Sequence, residues 1–366
     1  MTGILQGLLA SIGGATPFLY AWGANATGRI GDGTTISRSS PVQIGDLTTW
    51  SKVTAGNNQS LSVKSDGTLW AWGGGSDGGL GDGTQSSKSS PIQIGALTNW
   101  SEISAGNNFG VSVKTDGTLW TWGANNLGQL GDNTVDPKSS PIQVGALIDW
   151  SKITSGPQFS AAIKTNGTLW AWGRNFNGCL GNNSVSDVSS PIQIGALTSW
   201  SQVSAGQHFC AAIRTNGTLW SWGRNPDGRL GQNNTTYLSS PVQVGALTNW
   251  SKISTGYNHC IAIKTDGTLW AWGANNIGQL GLNDIVYRSS PVQVGSLTDW
   301  SQALGGRTFC TAIKTDKTLW AWGYNGTGYI GDDTNISKSS PVQVGVNTWS
   351  VISNGSLRRN TLAIKN

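Results

Sequence analysis

Few residues in this chain have the chemistry a catalyst or a metal site needs. Two histidines, His208 and His259, stand about fifty residues apart. An imidazole pair could hold a metal or relay a proton. No Cys-x-x-Cys pair or further His stands at ligand spacing, so both read as polar loop residues. Asp32, Asp82, Asp132 and Asp332 recur in phrases resembling GDGT. Paired carboxylates could do general acid–base work, but an Asp placed before Gly and Thr reads as a turn former bonded to its own backbone. The phrases also lack the D-x-D-x-D-G pattern of a calcium loop. The Gly-rich WGANNxGQLG is no phosphate cradle, because no helix follows it. Of four cysteines, Cys210, Cys260 and Cys310 share a position taken elsewhere by Ser60, Gly110 and Ser160, while Cys179 stands apart. They read as buried free thiols, since a disulfide needs Cα atoms within about 7 Å. Lys64, Lys114, Lys164, Arg214, Lys264, Lys314 and Lys365 recur as a basic ring. The ring could face an anionic partner, but reads as solvated charge that discourages strand-edge pairing. The expectation is therefore a non-enzyme with no catalytic residue, no metal and no cofactor.

What positions these residues is a repeat. The phrase KTDGTLWAWG at Lys264 returns, with small changes, at Lys64, Lys114, Lys164, Arg214 and Lys314. All 20 Trp fall in three positions of a fifty-residue period. TLWAWG, PVQIG, WSKIS and CIAIK read as four short strands per unit. Asp-Gly or Asn-Gly joins the last of these to the next TLWAWG, a strong hairpin signal. No long stripe of helical period survives between the turns. Seven such units predict an all-β, seven-bladed β-propeller with four antiparallel strands per blade. The ring should be closed by N- and C-terminal strands: FLYAWG at Phe18 enters just after the missing turn, and LAIKN ends just before it. The expectation is one strand from the N-terminus and three from the C-terminus in the closing blade. The Trp pairs should fill the wedge between blades, since each indole buries roughly 150–250 Å².

With 52 Gly, 20 Trp and 11% charged residues in 366, the chain is too aromatic for disorder. A net charge of +5 is too mild to argue for nucleic acid. No run of 18 apolar residues predicts a membrane span. The opening MTGILQGLLASIGGATP lacks the basic start of a secretory signal and reads as a retained segment. Its Ile4, Leu5, Leu8, Leu9 and Ile12 fall at roughly helical spacing. Residues 1–17 are therefore expected to be an apolar docking segment, and 18–366 the propeller.

The phrases LWAWGANNIGQLG, SSPVQVG and AIKTDG resemble the RCC1-type repeat (regulator of chromosome condensation) over residues 18–366. The resemblance implies a seven-bladed propeller. It leaves activity open, because the family includes nucleotide-exchange factors, ubiquitin-ligase modules and a bacterial inhibitor that binds β-lactamase. The family's Gly-x-x-His is matched by His259 alone. Phe109, Phe159, Phe209 and Phe309 replace the His elsewhere, and no insertion between blades offers an exchange wedge.

The repeats differ from one another on one side. Strand alternation puts the Asp-Gly turn and GALTNW on one face and the loops after WG and SAG on the other. The first set is nearly constant, whereas the second varies and collects Arg174, Phe176, Arg224, Arg229, Tyr237, Tyr257, Tyr287, Arg288, Arg307, Tyr324 and Tyr329. Tyr and Arg on loops held by rigid strands form a recognition surface. The N-terminal segment is similar to the Gly/Leu opening of phage virion proteins. Together these lead to the expectation of a binding and assembly propeller of a virion, in a tail, fibre or capsid surface. Its partners would be other virion proteins, or a host surface protein or glycan, with no nucleic acid. The alternative is a bacterial secreted or cell-surface inhibitor-like propeller, located extracellularly. A nucleotide-exchange-type regulator comes third.

Overall fold

The computed structural model describes residues 17–353, 355 and 359–365. The stripe Ile4, Leu5, Leu8, Leu9 and Ile12 lies outside the described residues. The chain folds into seven four-stranded antiparallel sheets. Blade one has the strands Trp50–Ala55, Gln59–Lys64, Leu69–Gly73 and Lys88–Gln93. Blades two to six repeat this order from Trp100, Trp150, Trp200, Trp250 and Trp300. The first strands of successive blades touch one another, which places them at the axis.

In five blades the second strand is buried at every residue, as in Phe159–Lys164. It lies between two strands of its own sheet and faces a neighbouring blade. Small and β-branched side chains such as Ala161, Ala162 and Ile163 suit that place. Trp172 is fully buried, and its indole N–H donates to the Gln129 carbonyl of the preceding blade at 3.0 Å. The same bond recurs in every blade, including Trp22 to Tyr329 across the closure. The Trp pairs thus fill the wedge, and the second indole of each pair also hydrogen-bonds to the preceding blade, whereas the first, such as Trp170, donates to a Thr of its own blade. Trp150 completes the cluster, edge-on to Trp170 at 5.7 Å and to Trp172 at 6.0 Å. The close fit requires Gly131, at φ +77°, because a Cβ there would lie 2.8 Å from the Trp172 ring.

The ring closes through both ends, with one correction. Phe18–Gly23 pairs antiparallel with Asn360–Lys365, from Phe18 opposite Lys365 to Gly23 opposite Asn360. The closing blade takes two strands from each end, with Arg38–Gln43 and Phe18–Gly23 beside Asn360–Lys365 and Val351–Ile352. The expected three-to-one split fails because Arg38–Gln43 follows Phe18–Gly23 directly and pairs with it, Tyr20 opposite Gln43. Blade six has its own outer strand in Lys338–Thr348.

Candidate functional site

The variable loops are built on a fixed frame. In the closing blade Asn25, fully buried, accepts the Ile30 N–H at 2.9 Å. Its amide donates to Asp32 and to the Thr34 and Ile36 carbonyls. Asn125, Asn175, Asn225, Asn275 and Asn325 make the corresponding bond to the residue five places on. Blade one has Gly75 there. Sequence change at the loop tips therefore rides on a backbone that the Asn side chain holds in place.

An ion pair braces most of these loops at the base. Arg38 meets Asp32 at 2.6 Å, and Lys88–Asp82, Lys138–Asp132 and Lys338–Asp332 repeat the contact at 3.6–3.7 Å. Blade five keeps a version of it in Arg288–Asp284 at 2.6 Å. Blades three and four replace both partners with uncharged residues, Asn182 with Val188 and Gln232 with Leu238. The same two blades carry Arg174 and Arg224 just after Trp-Gly, where the others have Ala, Gly or Tyr.

These arginines gather around His208. Phe176 reaches from blade three to lie edge-on to the His208 ring at 5.1 Å. Arg174 stands 5.0 Å from the Phe176 ring centre and donates to Gln158 Oε1. The Arg224 backbone N–H donates to the His208 carbonyl at 2.8 Å. Its guanidinium makes no hydrogen bond or ion pair among the described residues. Burial, then the charges of Arg174, Arg224 and Arg229, push the His208 imidazole down to about 4.

The predicted contact residues divide into two groups. Phe176, Tyr237 and Tyr287 are 43–46% exposed. Arg174, Arg224, Tyr257, Arg288, Arg307 and Tyr324 are half-buried. Arg307 lies 4.9 Å from the Tyr257 ring, and Gln207 donates to the Tyr257 hydroxyl, so blades four to six join near the axis. Arg229 and Tyr329 are buried, contrary to the expectation of loop contacts. Arg229 pairs with Asp227 and lies over Phe209, while Tyr329 stacks on Phe309 at 5.3 Å. Both follow the loop's glycine, where the chain turns back into the blade interface. The same loops also expose Ile36, Val135, Val185, Ile285, Val286 and Ile336 by 57–66%, residues that are not among the expected contacts. An apolar residue in a loop that recurs with the repeat was the available signal.

The remaining candidates serve the framework. His259 is fully buried, 3.1 Å from Cys310 Sγ. The four thiols are free and buried, and burial pushes those of Cys179, Cys210 and Cys260 up. Cys260 Sγ donates to the Arg229 carbonyl, as Ser60 Oγ does to the Arg29 carbonyl. Asp32 Oδ1 accepts from the Thr34 N–H and hydroxyl, the expected turn. The Lys ring is not solvated, and here the expectation is corrected. Lys64, Lys114, Lys164, Lys264 and Lys314 are 5–9% exposed, seated over Trp rings 3.5–5.3 Å away. A cation over an indole face keeps favourable electrostatics without full hydration. On the variable face, Asp77, Asn107, Asn108, Asn125 and Gln158 line an amide-rich cleft of about 300 Å³. No group of three or more His, Cys, Asp or Glu is placed to hold a metal among the described residues.

The family model of the regulator of chromosome condensation (RCC1) repeat matches residues 18–63, 66–113, 116–163, 166–213, 216–263 and 266–313. A second model of that repeat matches 100–129, 150–179, 200–229 and 250–279. Human WBSCR16 superposes with a TM-score of 0.87 at 17% identity, over 96% of this chain and 99% of its own. Yeast RCC1 (Prp20), solved with Kap60 bound, gives a TM-score of 0.83 at 16% identity, over 96% and 89%. Prp20p from Saccharomyces cerevisiae, described with its binding to Gsp1p and histones, gives 0.83 at 17% identity, over 96% and 92%. At these identities the likeness is one of fold. No curated protein sequence matches the chain.

Proposed function

The chain belongs to the regulator of chromosome condensation (RCC1) repeat family, and on that premise we propose that it is a non-enzymatic propeller that binds a partner protein through its variable loop face. One observation carries this reading. The loops that differ between repeats lie together on one face, on a frame of buried Asn residues, and present Phe176, Tyr237 and Tyr287 to solvent. The acid–base candidates have structural work instead: Asp32, Asp82 and Asp132 brace loops, and His259 packs in a blade core. A photo-crosslinking residue at Tyr237 or Tyr287 should trap the partner, while one at Ser65 or Thr165 on the opposite face should not. The reverse pattern puts recognition on the wrong face.

In its finer form the proposal makes the chain a virion component, in a tail, fibre or capsid surface. Support for this is the N-terminal resemblance alone. Mass spectrometry of purified particles tests it, and absence from the particles favours the secreted or cell-surface alternative. A third reading, a nucleotide-exchange-type regulator, starts from the likeness to Prp20p, which is described with its binding to Gsp1p and histones. A nucleotide-release assay without stimulation retires that reading.

A further inference from the structure

We propose that the loops of blades three and four form a carboxylate-recognition site, in which Arg174 and Arg224 grip an acidic side chain of a partner protein beside His208 and Phe176. The inference rests on the variable face being the binding face, and adds the chemistry of what binds there. Its first support is the pattern of replacement. Where the other blades hold a basic residue against an Asp at the loop base, these two have Asn182 with Val188 and Gln232 with Leu238. In the same blades a cation appears at the loop entrance. Charge has been removed from where the fold used it and placed where the fold does not.

The second support is unmet bonding capacity. A guanidinium offers five donors in a planar fork that matches a carboxylate. Arg224 spends none of them on the described residues, and Arg174 spends one on Gln158. Arg229, buried and paired with Asp227, supplies field rather than a grip. The His208 Nδ1 is buried and has no hydrogen-bond partner among the described residues. Phe176 offers an apolar wall edge-on to the imidazole, 5.1 Å between ring centres. A carboxylate between the two arginines would gain charge-assisted, bidentate bonds in a partly dehydrated place.

The surroundings favour one carboxylate on a peptide over an extended polyanion. Asp187 and Asp227 lie on the same two loops, Asp132 and Asp136 on the loop of blade two, and Asp284 on that of blade five. A nucleic-acid backbone long enough to cross the patch would run against these carboxylates.

The test uses the full chain and a synthetic peptide with a single glutamate among uncharged residues, against its glutamine analogue, inorganic phosphate and oligothymidylate. His208 reports occupancy through its NMR titration, with only His259 as a second imidazole. The groups facing it are Arg174 and Phe176 from blade three, and Arg224, Arg229 and the Arg229-paired Asp227 from its own. The glutamate peptide should raise the His208 pKa by about one unit. Arg174→Gln with Arg224→Gln should weaken the peptide roughly tenfold and abolish that shift. Lys88→Gln with Lys138→Gln, which breaks paired lysines, should change affinity by less than about twofold. Arg224→Gln alone, which frees no partner, should give a smaller loss in the same direction with an unchanged melting curve. The proposal is overturned by unchanged affinity in the arginine variants, by an equal loss in the lysine variant, or by an equal shift with phosphate alone. Tighter binding of oligothymidylate through the same arginines also overturns it. If the arginine variants bind the peptide normally while crosslinks from Tyr237 and Tyr287 still trap the partner, only the carboxylate site fails. If crosslinks arise from the opposite face, the face itself fails.

Discussion

On the constant face Lys114 Nζ sits 3.5 Å from the Trp120 ring centre and 4.6 Å from that of Trp100. On the variable face Arg224 is half-buried near two more arginines, and among the described residues its guanidinium has neither an aromatic seat nor a carboxylate. The first arrangement recurs in blade after blade, and its neighbours recur with it: Asp116 accepts from Thr118, whose hydroxyl accepts the Trp120 indole N–H. The second arrangement occurs only where the repeat departs from itself. A residue repeated with all its partners is explained by the fold. A charged residue that breaks the repeat and has no partner among the described residues is not explained by the fold, and that contrast underlies the proposal that the second face binds.

The largest effect should come from the closure on which both faces depend. Deleting residues 359–366 removes the strand Asn360–Lys365 from the middle of the closing blade and exposes the Phe18–Gly23 edge. Leu362 and Ile364, buried in the core beside Trp50 and Trp72, go with it. A loss on the order of 5 kcal/mol or more is expected, with the melting midpoint down by roughly 5–10 °C. An unchanged calorimetric trace would show that the blade does not close this way. Next in size is a pair that separates frame from surface. Trp172→Ala should cost about 3–5 kcal/mol, and Phe176→Ala, four residues on, no more than about 0.5 kcal/mol. Equal costs in urea unfolding would mean that the loop tip is part of the frame.

Much of this frame was legible in the sequence because its signals are local. Asp-Gly turns, strand alternation and the fixed Trp phases need no knowledge of neighbours, and they gave seven blades and a strand-to-strand closure. The errors came where the outcome depends on what lies across a boundary. Lys114 reads as a surface cation until the Trp100 and Trp120 rings are seen beneath it. Arg229 and Tyr329 read as loop contacts, but the residue after the loop glycine faces the adjoining short loop, and its backbone carbonyl takes a Trp indole from the next blade. The weight of blades three and four was visible only once Asp32 was seen to hold Arg38, so that Asn182 with Val188 could be recognised as a deleted pair.

Acid should act on the constant face through its turns. Hydrogen bonds from the Thr two residues on hold the Asp66, Asp116, Asp266 and Asp316 carboxyls below their ordinary value. A carboxyl depressed in the fold binds fewer protons there than in the unfolded chain. Its contribution is therefore present above pH ~4 and is lost as pH falls through the folded value. Blades three and four already use Asn166 and Asn216, whose Oδ1 atoms accept the same Thr hydroxyls at 2.7 Å. Replacing the four Asp by Asn should leave stability at pH 7 nearly unchanged and flatten its decline below pH 4. A decline as steep as in the parent would place the acid sensitivity elsewhere.

The smallest effects test the comparison most directly, because the same change is made on both faces. Lys114→Met removes one cation from its place over two indoles. Burial lowers the Lys114 pKa and the nearby Asp116 opposes that, so the ammonium is held by the rings at some cost in hydration. The net loss should be about 0.5–1 kcal/mol. Arg224→Met also removes one cation, but no bond goes with it, and repulsion from Arg174, Arg229 and any protonated His208 is relieved. Stability should stay within about 0.5 kcal/mol of the parent and, if it moves, rise. The His208 titration supplies the sign. Its pKa of about 4 should move up toward the ordinary imidazole value, since one of the charges depressing it is gone. An imidazole depressed in the fold takes up its proton later than in the unfolded chain, so the parent loses stability as pH falls from about 6.5 toward 4. Arg224→Met should lose less over that window, whereas Lys114→Met should follow the parent. If both variants lose the same stability at pH 7 and the same slope in acid, Arg224 is as embedded in the fold as Lys114, and the two faces do not differ in the way their charges indicate.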